Sequence, residues 1–133
     1  MNTIEFIGHI SSPLKKLGDC PLQEHEGAPA VSISIDHKYE QALLGLEPGS
    51  KVVLLTWLHK SNRETLTTKP RNNPKAATTG VFATRSPDRP NPIGLHVVEV
   101  LAIAGGELKI SNLEVIDGTP LIDIKPILDN QTL

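Results

Sequence analysis

Two arginines in a proline-rich stretch are the side chains of this sequence best placed for chemistry. The stretch GVFATRSPDRPNPIG, residues 80–94, holds Arg85 and Arg89 among three prolines. Each proline fixes its own φ at about −65° and restricts the residue before it, so such a loop is rigid without regular secondary structure. A guanidinium group held by a rigid loop loses less conformational entropy when it binds an anion. The alternative is a connection between two strands in which both arginines are solvated.

The ends of this stretch and a second motif extend the set of candidates. Gly80 and Gly94 permit tight turns or close approach of the backbone to a ligand. In DGTP, residues 117–120, the Asp-Gly pair is typical of a turn. Asp117 could offer a carboxylate at the mouth of a barrel, or it could only bond its own backbone.

A histidine and two further charged residues occupy strand positions. His59 directly follows an apolar run, with Lys60 beside it, and could bind a ligand or simply be solvated. Trp57 is predicted to lie in the core. Asp123 and Lys125 are two residues apart on one strand face, which indicates a surface ion pair of little energetic consequence.

The motifs of several enzyme classes are absent from the sequence. It contains neither a P-loop nor a G-x-G-x-x-G fingerprint, which hold phosphates and dinucleotides, and no G-x-S-x-G nucleophile elbow. The five histidines do not show zinc-ligand spacing, so no metal is expected. The single cysteine, Cys20, cannot form an internal disulfide.

Composition predicts one soluble domain, over residues 1–133, with an aliphatic core. Hydrophobic residues make up 38% of the 133 residues but aromatic residues only 3%, so Val, Ile and Leu must fill the interior. The sequence has no apolar run of about 20 residues and no signal-peptide pattern at its start, which predicts a cytoplasmic protein without a membrane segment. The net charge of −2 argues against a general nucleic-acid coat protein but allows a local basic patch.

The pattern of elements predicts a mainly β fold, a small antiparallel β-barrel with one short helix. Residues 37–46 have apolar side chains at helical spacing after a possible cap, Asp36. Residues 61–79 show no periodicity and are expected to form a functional or disordered loop. A barrel is favoured over an open sandwich because closure removes exposed strand edges. The runs predicted as strands are 4–10, 30–35, 51–59, 95–104, 107–116 and 122–125, with a hairpin turn at Gly105-Gly106. In the last run, Ile122 and Ile124 form the apolar side, opposite Asp123 and Lys125.

Four motifs, taken in order, resemble one known family. They are IGHISSPLKK…PLQ, GLEPGSKVVLLTWLHK, GVFATRSPDRPNPIGL and DGTPLIDIKP. The sequence resembles, over about residues 7–126, a short single-domain form of the TsaA-like, S-adenosylmethionine-dependent tRNA methyltransferases. These enzymes methylate N6 of threonylcarbamoyl-modified adenosine 37. The resemblance implies a non-Rossmann barrel, a homodimer with S-adenosylmethionine near the interface, and tRNA as the substrate.

The resemblance also implies which residues contact the ligands. Arg85 would pair with the cofactor carboxylate, and Asp117 would accept hydrogen bonds from hydroxyl groups. No catalytic base is nominated, because methyl transfer depends mainly on the alignment of the reacting atoms. Substrate contacts would come from Arg89 and Asn91. The cofactor contacts would be Pro21, Leu22, Gln23, His59, Lys60, Arg85, Leu95, Asp117, Gly118, Thr119 and Pro120.

Two other functions fit the same motifs. The barrel could methylate a small molecule, in a pocket too narrow for a flipped-out base, or it could be a catalytically silent cofactor-binding regulatory module. A tRNA enzyme predicts salt-sensitive RNA binding instead. Its contacts could come from the basic residues in and beside the 61–79 loop, namely Lys60, Arg63, Lys69, Arg71 and Lys75.

Overall fold

The computed structural model of the chain describes residues 2–13, 31–69, 75, 77–111 and 113–128. Cys20 and the predicted cofactor contacts Pro21, Leu22 and Gln23 lie outside these ranges. The strands are β1 Gly8–Ser11, β2 Val31–Ile35, β3 Lys51–Trp57, β4 Thr67–Thr68, β5 Thr79–Gly80, β6 Ile93–Ala104, β7 Glu107–Ile110 and β8 Pro120–Pro126. Within the described ranges, 3₁₀ helices span His37–Leu43 and Val81–Ala83.

Six of the strands form one antiparallel sheet that closes on itself, in the order β1-β2-β7-β6-β3-β8. Closure is made where β8 pairs with β1, with Gly8 opposite Leu121 and His9 opposite Pro120. The predicted small antiparallel barrel is therefore confirmed. The pair β4–β5 is separate from this sheet and lies in the segment that was expected to lack regular structure.

The core is aliphatic, as the composition predicted. Inward positions of β3 carry Val52, Leu54 and Thr56, so the alternation of the strand turns Trp57 outward. The prediction that Trp57 lies in the core is therefore wrong. The buried cluster consists of Ile10, Val31, Ile33, Ile35, Val52, Leu54, Val98, Val100, Leu108, Ile110, Leu113, Val115 and Leu121.

The first strand starts later than its alternating pattern predicted. β1 begins at Gly8, and Ile4 and Phe6 are exposed. Ile7 is the residue of this segment that packs against the core, and its N–H donates to Leu121 O at 2.9 Å. Residues 2–6 have no partner strand among the described residues, so their alternation does not place side chains on two faces of a sheet.

Two other local predictions also need correction. The helical segment His37–Leu43 is a 3₁₀ helix, and Asp36 forms no side-chain capping bond, so the predicted cap is wrong. The pairing of β3 with β8 contains a bulge. Leu55 pairs with Asp123 and the next residue, Thr56, pairs with Leu121, so Ile122 is the extra residue on β8. Leu121 rather than Ile122 then faces the core.

The topology gathers three connections at one end of the barrel, which we call the loop end. β1, β3 and β7 run towards this end, and β2, β6 and β8 run away from it. The predicted site segments around His59 and Arg85 therefore belong to the connection between β3 and β6, and Asp117 belongs to the connection between β7 and β8 at the same end. At the opposite end lie the 3₁₀ helix His37–Leu43 and the predicted hairpin turn at Gly105-Gly106, which is confirmed. No helix of the described ranges is long and apolar enough to span a membrane.

Gly8 provides a test of barrel closure. A Cβ added there would meet the carbonyl oxygen of Ser34, and it would lie 3.1 Å from the Cα of Ile35. Both are backbone atoms of β2 and cannot rotate away. We expect Gly8→Ala to lower the free energy of unfolding by about 1–3 kcal/mol, measured by urea denaturation.

Gly80→Ala is the matched control for this substitution. Gly80 has a φ of −65°, and the nearest atom to its added Cβ, Leu66 O, is 4.0 Å away. The control variant should be as stable as the wild type or slightly more stable. Equal stability of the two variants would contradict the close packing of β1 against β2.

Candidate functional site at the loop end

A cleft of about 250 Å³ opens at the loop end of the barrel. It brings together His59, Lys60 and Thr119, which the sequence predicted from two distant motifs. Sequence reasoning did not predict the other lining residues, several of which form an apolar wall. These others are Leu58, Ser61, Pro87, His96, Glu114, Val115 and Ile116.

A hydrogen-bonded pair lies beneath this cleft. The side chains of Thr56 and His96 are joined through Oγ1 and Nε2 at 3.0 Å. A Cβ on Gly94 would collide with Thr56 Oγ1 and would lie 2.6 Å from His96 Nε2. Gly94 is therefore required by this pair, and it lies within β6 rather than at a tight turn. His96 could have been found from the sequence, because it is a polar residue at an inward-facing position of an otherwise apolar strand face.

The DGT turn is bonded into the closure of the barrel. The N–H of Gly118 donates to Ile10 O at 2.7 Å, and the N–H of Ile10 donates to Thr119 O at 2.9 Å. Gly118 has a φ of +84°, a left-handed conformation that favours glycine. The turn is thereby fixed in position as one wall of the cleft.

The side chains of this turn are also engaged within the protein. The carboxylate of Asp117 accepts a hydrogen bond from the N–H of Ser12 at 2.9 Å, so its bond is long-range rather than local. The buried hydroxyl of Thr119 donates to Ile116 O at 2.6 Å, and the N–H of Thr119 donates to the same oxygen at 3.1 Å. A ligand in the cleft would therefore meet a preformed wall.

Arg89 holds the proline loop together from within. Its Nη1 donates to Thr84 O at 3.0 Å and to Ser86 O at 2.8 Å, and its Nη2 donates to Val81 O at 2.9 Å. Prolines lack the N–H groups that would otherwise bond such carbonyls. The guanidinium replaces those donors, a role that the sequence did not predict for Arg89.

Arg63 fastens the next segment to the same loop. Its Nε donates to Pro90 O at 2.8 Å, its Nη2 donates to Asn91 Oδ1 at 3.2 Å, and its guanidinium lies 5.0 Å from the ring centroid of Trp57. Asn91, predicted to hold substrate, thus has its amide oxygen engaged by Arg63. The segment after His59 and the proline loop therefore form one connected unit.

Five predicted cofactor residues of the described ranges lie outside the lining of the cleft, namely Arg85, Leu95, Asp117, Gly118 and Pro120. Arg85 is exposed on the rigid loop, and its guanidinium forms no hydrogen bond or ion pair within the described ranges. Leu95 lies on the outer face of β6 opposite Leu55. Pro120 begins β8 and lines a separate shallow depression beside His9.

The connection between β3 and β6 carries an excess of positive charge, while Glu114 adds a carboxylate to the lining of the cleft. Partial burial, with the Lys60 charge beside it, lowers the pKa of His59 below its usual value of about 6.5, so the imidazole is neutral near pH 7. Residues 59–91 carry seven Lys and Arg against two Asp and Glu, whereas the rest of the chain carries six against thirteen. Although the net charge of the whole chain is −2, the segment between β3 and β6 is therefore basic. Among the described residues no group of three His, Cys, Asp or Glu could hold a metal ion.

Comparison with known proteins identifies relatives of the whole fold. A probable S-adenosyl-L-methionine-binding protein of Archaeoglobus fulgidus is 42% identical over 90% of this chain and 32% of its own length. The tRNA (adenine(37)-N6)-methyltransferase of Mus musculus is 45% identical over 67% of this chain and 21% of its own. The crystal structure of TrmO from Pseudomonas aeruginosa superposes with a TM-score of 0.77 at 30% identity, over 99% of this chain and 60% of that one.

The chain thus spans between a fifth and three fifths of the length of these three proteins. The family model of the tRNA-methyltransferase O N-terminal domain matches residues 9–131, which include all the strands of the barrel except the first residue of β1. This chain belongs to the family of tRNA-methyltransferase O N-terminal domains.

Proposed function

We propose that this chain is an S-adenosylmethionine-dependent methyltransferase that acts on N6 of adenosine 37 in tRNA, in its threonylcarbamoyl-modified form. The observation that carries the proposal is the preformed cleft at the loop end, beside a basic segment, in a member of the tRNA-methyltransferase O family. The names of two relatives support the cofactor and the substrate. One is a probable S-adenosyl-L-methionine-binding protein, and the other is a tRNA (adenine(37)-N6)-methyltransferase.

The groups around the cleft match the chemistry of the cofactor. The apolar wall suits the adenine ring and the methylene chain. Lys60 in the lining, and Arg85 two residues before the lining residue Pro87, are cations for a carboxylate. The neutral imidazole of His59 can hydrogen-bond without repelling the sulfonium charge. A volume of about 250 Å³ is below the 300–1,000 Å³ or so that drug-sized ligands occupy. The cleft therefore holds part of the cofactor, and the remaining contacts come from residues 21–23 or from a second subunit.

Arg85 is the residue that tests the cofactor site. We expect Arg85→Ala to weaken S-adenosylmethionine binding about 10- to 100-fold, because a charge-assisted bond to the carboxylate is lost. Calorimetric titration measures the affinity. Lys109→Ala, which removes an exposed cation on β7, is the control and should bind like the wild type. Unchanged affinity in Arg85→Ala would rule out this carboxylate contact.

The main role of the chain in the reaction is to position the cofactor methyl group and the acceptor nitrogen relative to each other. When bound, the cofactor supplies the methyl group on its sulfonium. The loop held by Arg89 and Arg63 fixes the approach to the cleft, and a fixed, in-line arrangement of reactants lowers the barrier by several kcal/mol. We also propose that this transfer proceeds without a metal, in the cytoplasm.

A methyl-transfer assay distinguishes the three candidate functions. With labelled S-adenosylmethionine, we expect transfer to tRNA carrying threonylcarbamoyl-adenosine 37 and none to tRNA with guanosine 37. The rate at limiting tRNA should fall as salt rises from about 50 to 200 mM, because phosphate contacts release counterions. Cofactor binding without transfer to any acceptor would favour the silent module. Transfer to small molecules but not to tRNA would favour the second enzyme.

We further propose a homodimer with the cofactor near the interface. The outer face of β6 bears an apolar stripe formed by Ile93, Leu95, Val97 and Leu101, each 38–45% exposed. Across the pairing with β3, three of them lie opposite Trp57, Leu55 and Val53. This stripe starts at the loop end, so a second copy seated on it would be adjacent to the cleft. Leu95 would then contact the cofactor through the dimer rather than from within one barrel.

Val97 is at the centre of that stripe. We expect Val97→Asp to convert the dimer to monomers, because it places a charge in an apolar interface, and to weaken cofactor binding at the same time. Sedimentation velocity measures the mass. Leu44→Asp, at a 90% exposed position near the opposite end, should leave the dimer intact. A wild type that is monomeric at micromolar concentration would contradict the dimer.

A further inference from the structure

Phe82 is the most exposed aromatic side chain of the described residues. Its exposed fraction is 84%, although it follows a valine that is 2% exposed. The chain has only two phenylalanines, and neither is in the core. The site described above makes no use of this ring.

Hydrogen bonds fix the backbone on both sides of Phe82 and so set the direction in which its side chain leaves the chain. The N–H of Val81 donates to Leu66 O at 3.0 Å. The Val81 carbonyl accepts hydrogen bonds from the N–H and the hydroxyl of Thr84, each at 3.0 Å, and from Arg89 Nη2 at 2.9 Å. These bonds close the single 3₁₀ turn that presents the ring to solvent. Phe82 is therefore exposed on a 3₁₀ turn whose backbone is held by hydrogen bonds.

The surroundings of the ring indicate what it would contact. Arg85, three residues further along the same loop, has its guanidinium in solvent, and the whole 59–91 segment has the basic excess described above. A flat apolar surface among cations suits a ligand that combines aromatic rings with negative charge. Nucleobases of single-stranded RNA have this combination, because their faces stack on aromatic side chains while the phosphates meet the cations.

We propose that Phe82 is a stacking platform for an unpaired base of the RNA acceptor, beside the base that receives the methyl group. This inference rests on the proposed tRNA function and adds a contact outside the cofactor cleft. Arg85 and Phe82 then have separate roles on one loop, the first towards the cofactor carboxylate and the second towards RNA. Arg89 supports both through the Val81, Thr84 and Ser86 carbonyls.

The test compares RNA binding with cofactor binding in three variants. Fluorescence anisotropy with an anticodon stem-loop RNA measures RNA affinity, and calorimetry with S-adenosylmethionine measures cofactor affinity. We expect Phe82→Ala and Phe82→Leu to weaken RNA binding about 5- to 100-fold and Phe82→Trp to retain it, since only a π face stacks on a base. Cofactor affinity should be unchanged in all three. Leu44→Ala, which shortens another highly exposed apolar side chain, is the control for nonspecific loss of apolar surface.

Each alternative gives a different result. Wild-type RNA affinity in Phe82→Ala, or in Phe82→Leu, would overturn the stacking role while leaving the proposed function intact. If the wild type binds cofactor but no RNA, the tRNA function fails and the platform fails with it. Light scattering measures whether Phe82→Ala is still a dimer. If this variant loses RNA binding and is also monomeric, the ring contacts a second copy of the chain, and the proposal is overturned.

Discussion

Closure of the barrel depends on a four-residue strand held by a turn. β1 is short, and its pairing with β8 is extended by the bonds between Ile10 and the turn at Gly118 and Thr119. These bonds require the left-handed backbone of Gly118 and the missing side chain of Gly8. Because the same turn forms one wall of the cleft, closure of the barrel and formation of the candidate site are one structural event. A ligand in the cleft would thus contact the point at which the sheet is completed.

The loop opposite that wall is held by side chains instead of a strand ladder. Three prolines leave the 80–94 stretch short of N–H donors, and two guanidinium groups replace them. Arg89 bonds three carbonyls from within the loop, and Arg63 bonds Pro90 O from the neighbouring segment. Among the described arginines of this unit, Arg85 is the one whose guanidinium is not engaged within the protein. A preorganised cation of this kind is what recognition of a carboxylate requires.

Sequence periodicity predicted those elements whose pattern is determined by one buried face. In β2, Val31, Ile33 and Ile35 are all buried, and the Gly105-Gly106 turn joins β6 and β7 as expected. The Asp123–Lys125 ion pair is present at 3.0 Å on the surface, as its spacing indicated. These features depend on neighbours in the chain or on a period of two residues, and both can be recognised without the fold.

The features that sequence reasoning missed depend on distant contacts. The roles of Arg89 and Arg63 follow from which carbonyl oxygens the fold leaves without donors, and no local pattern encodes that. Trp57 was misplaced because β3 is apolar on both faces, so its alternation gives no direction. His96 was missed because a single polar residue in a strand does not show whether it faces a cleft. Phe82 was missed because a hydrophobic side chain is expected to be buried unless the fold holds it outward.

Hydrogen–deuterium exchange with and without S-adenosylmethionine tests most directly the claim that the loop end of the barrel is the cofactor site. Cofactor binding at the loop end should slow exchange in peptides covering residues 58–61 and 113–119. Peptides from the opposite end, which cover His37–Leu43, should exchange at an unchanged rate. Protection confined to the opposite end, where a second cleft is lined by Tyr39, Leu43 and Ile124, would contradict it.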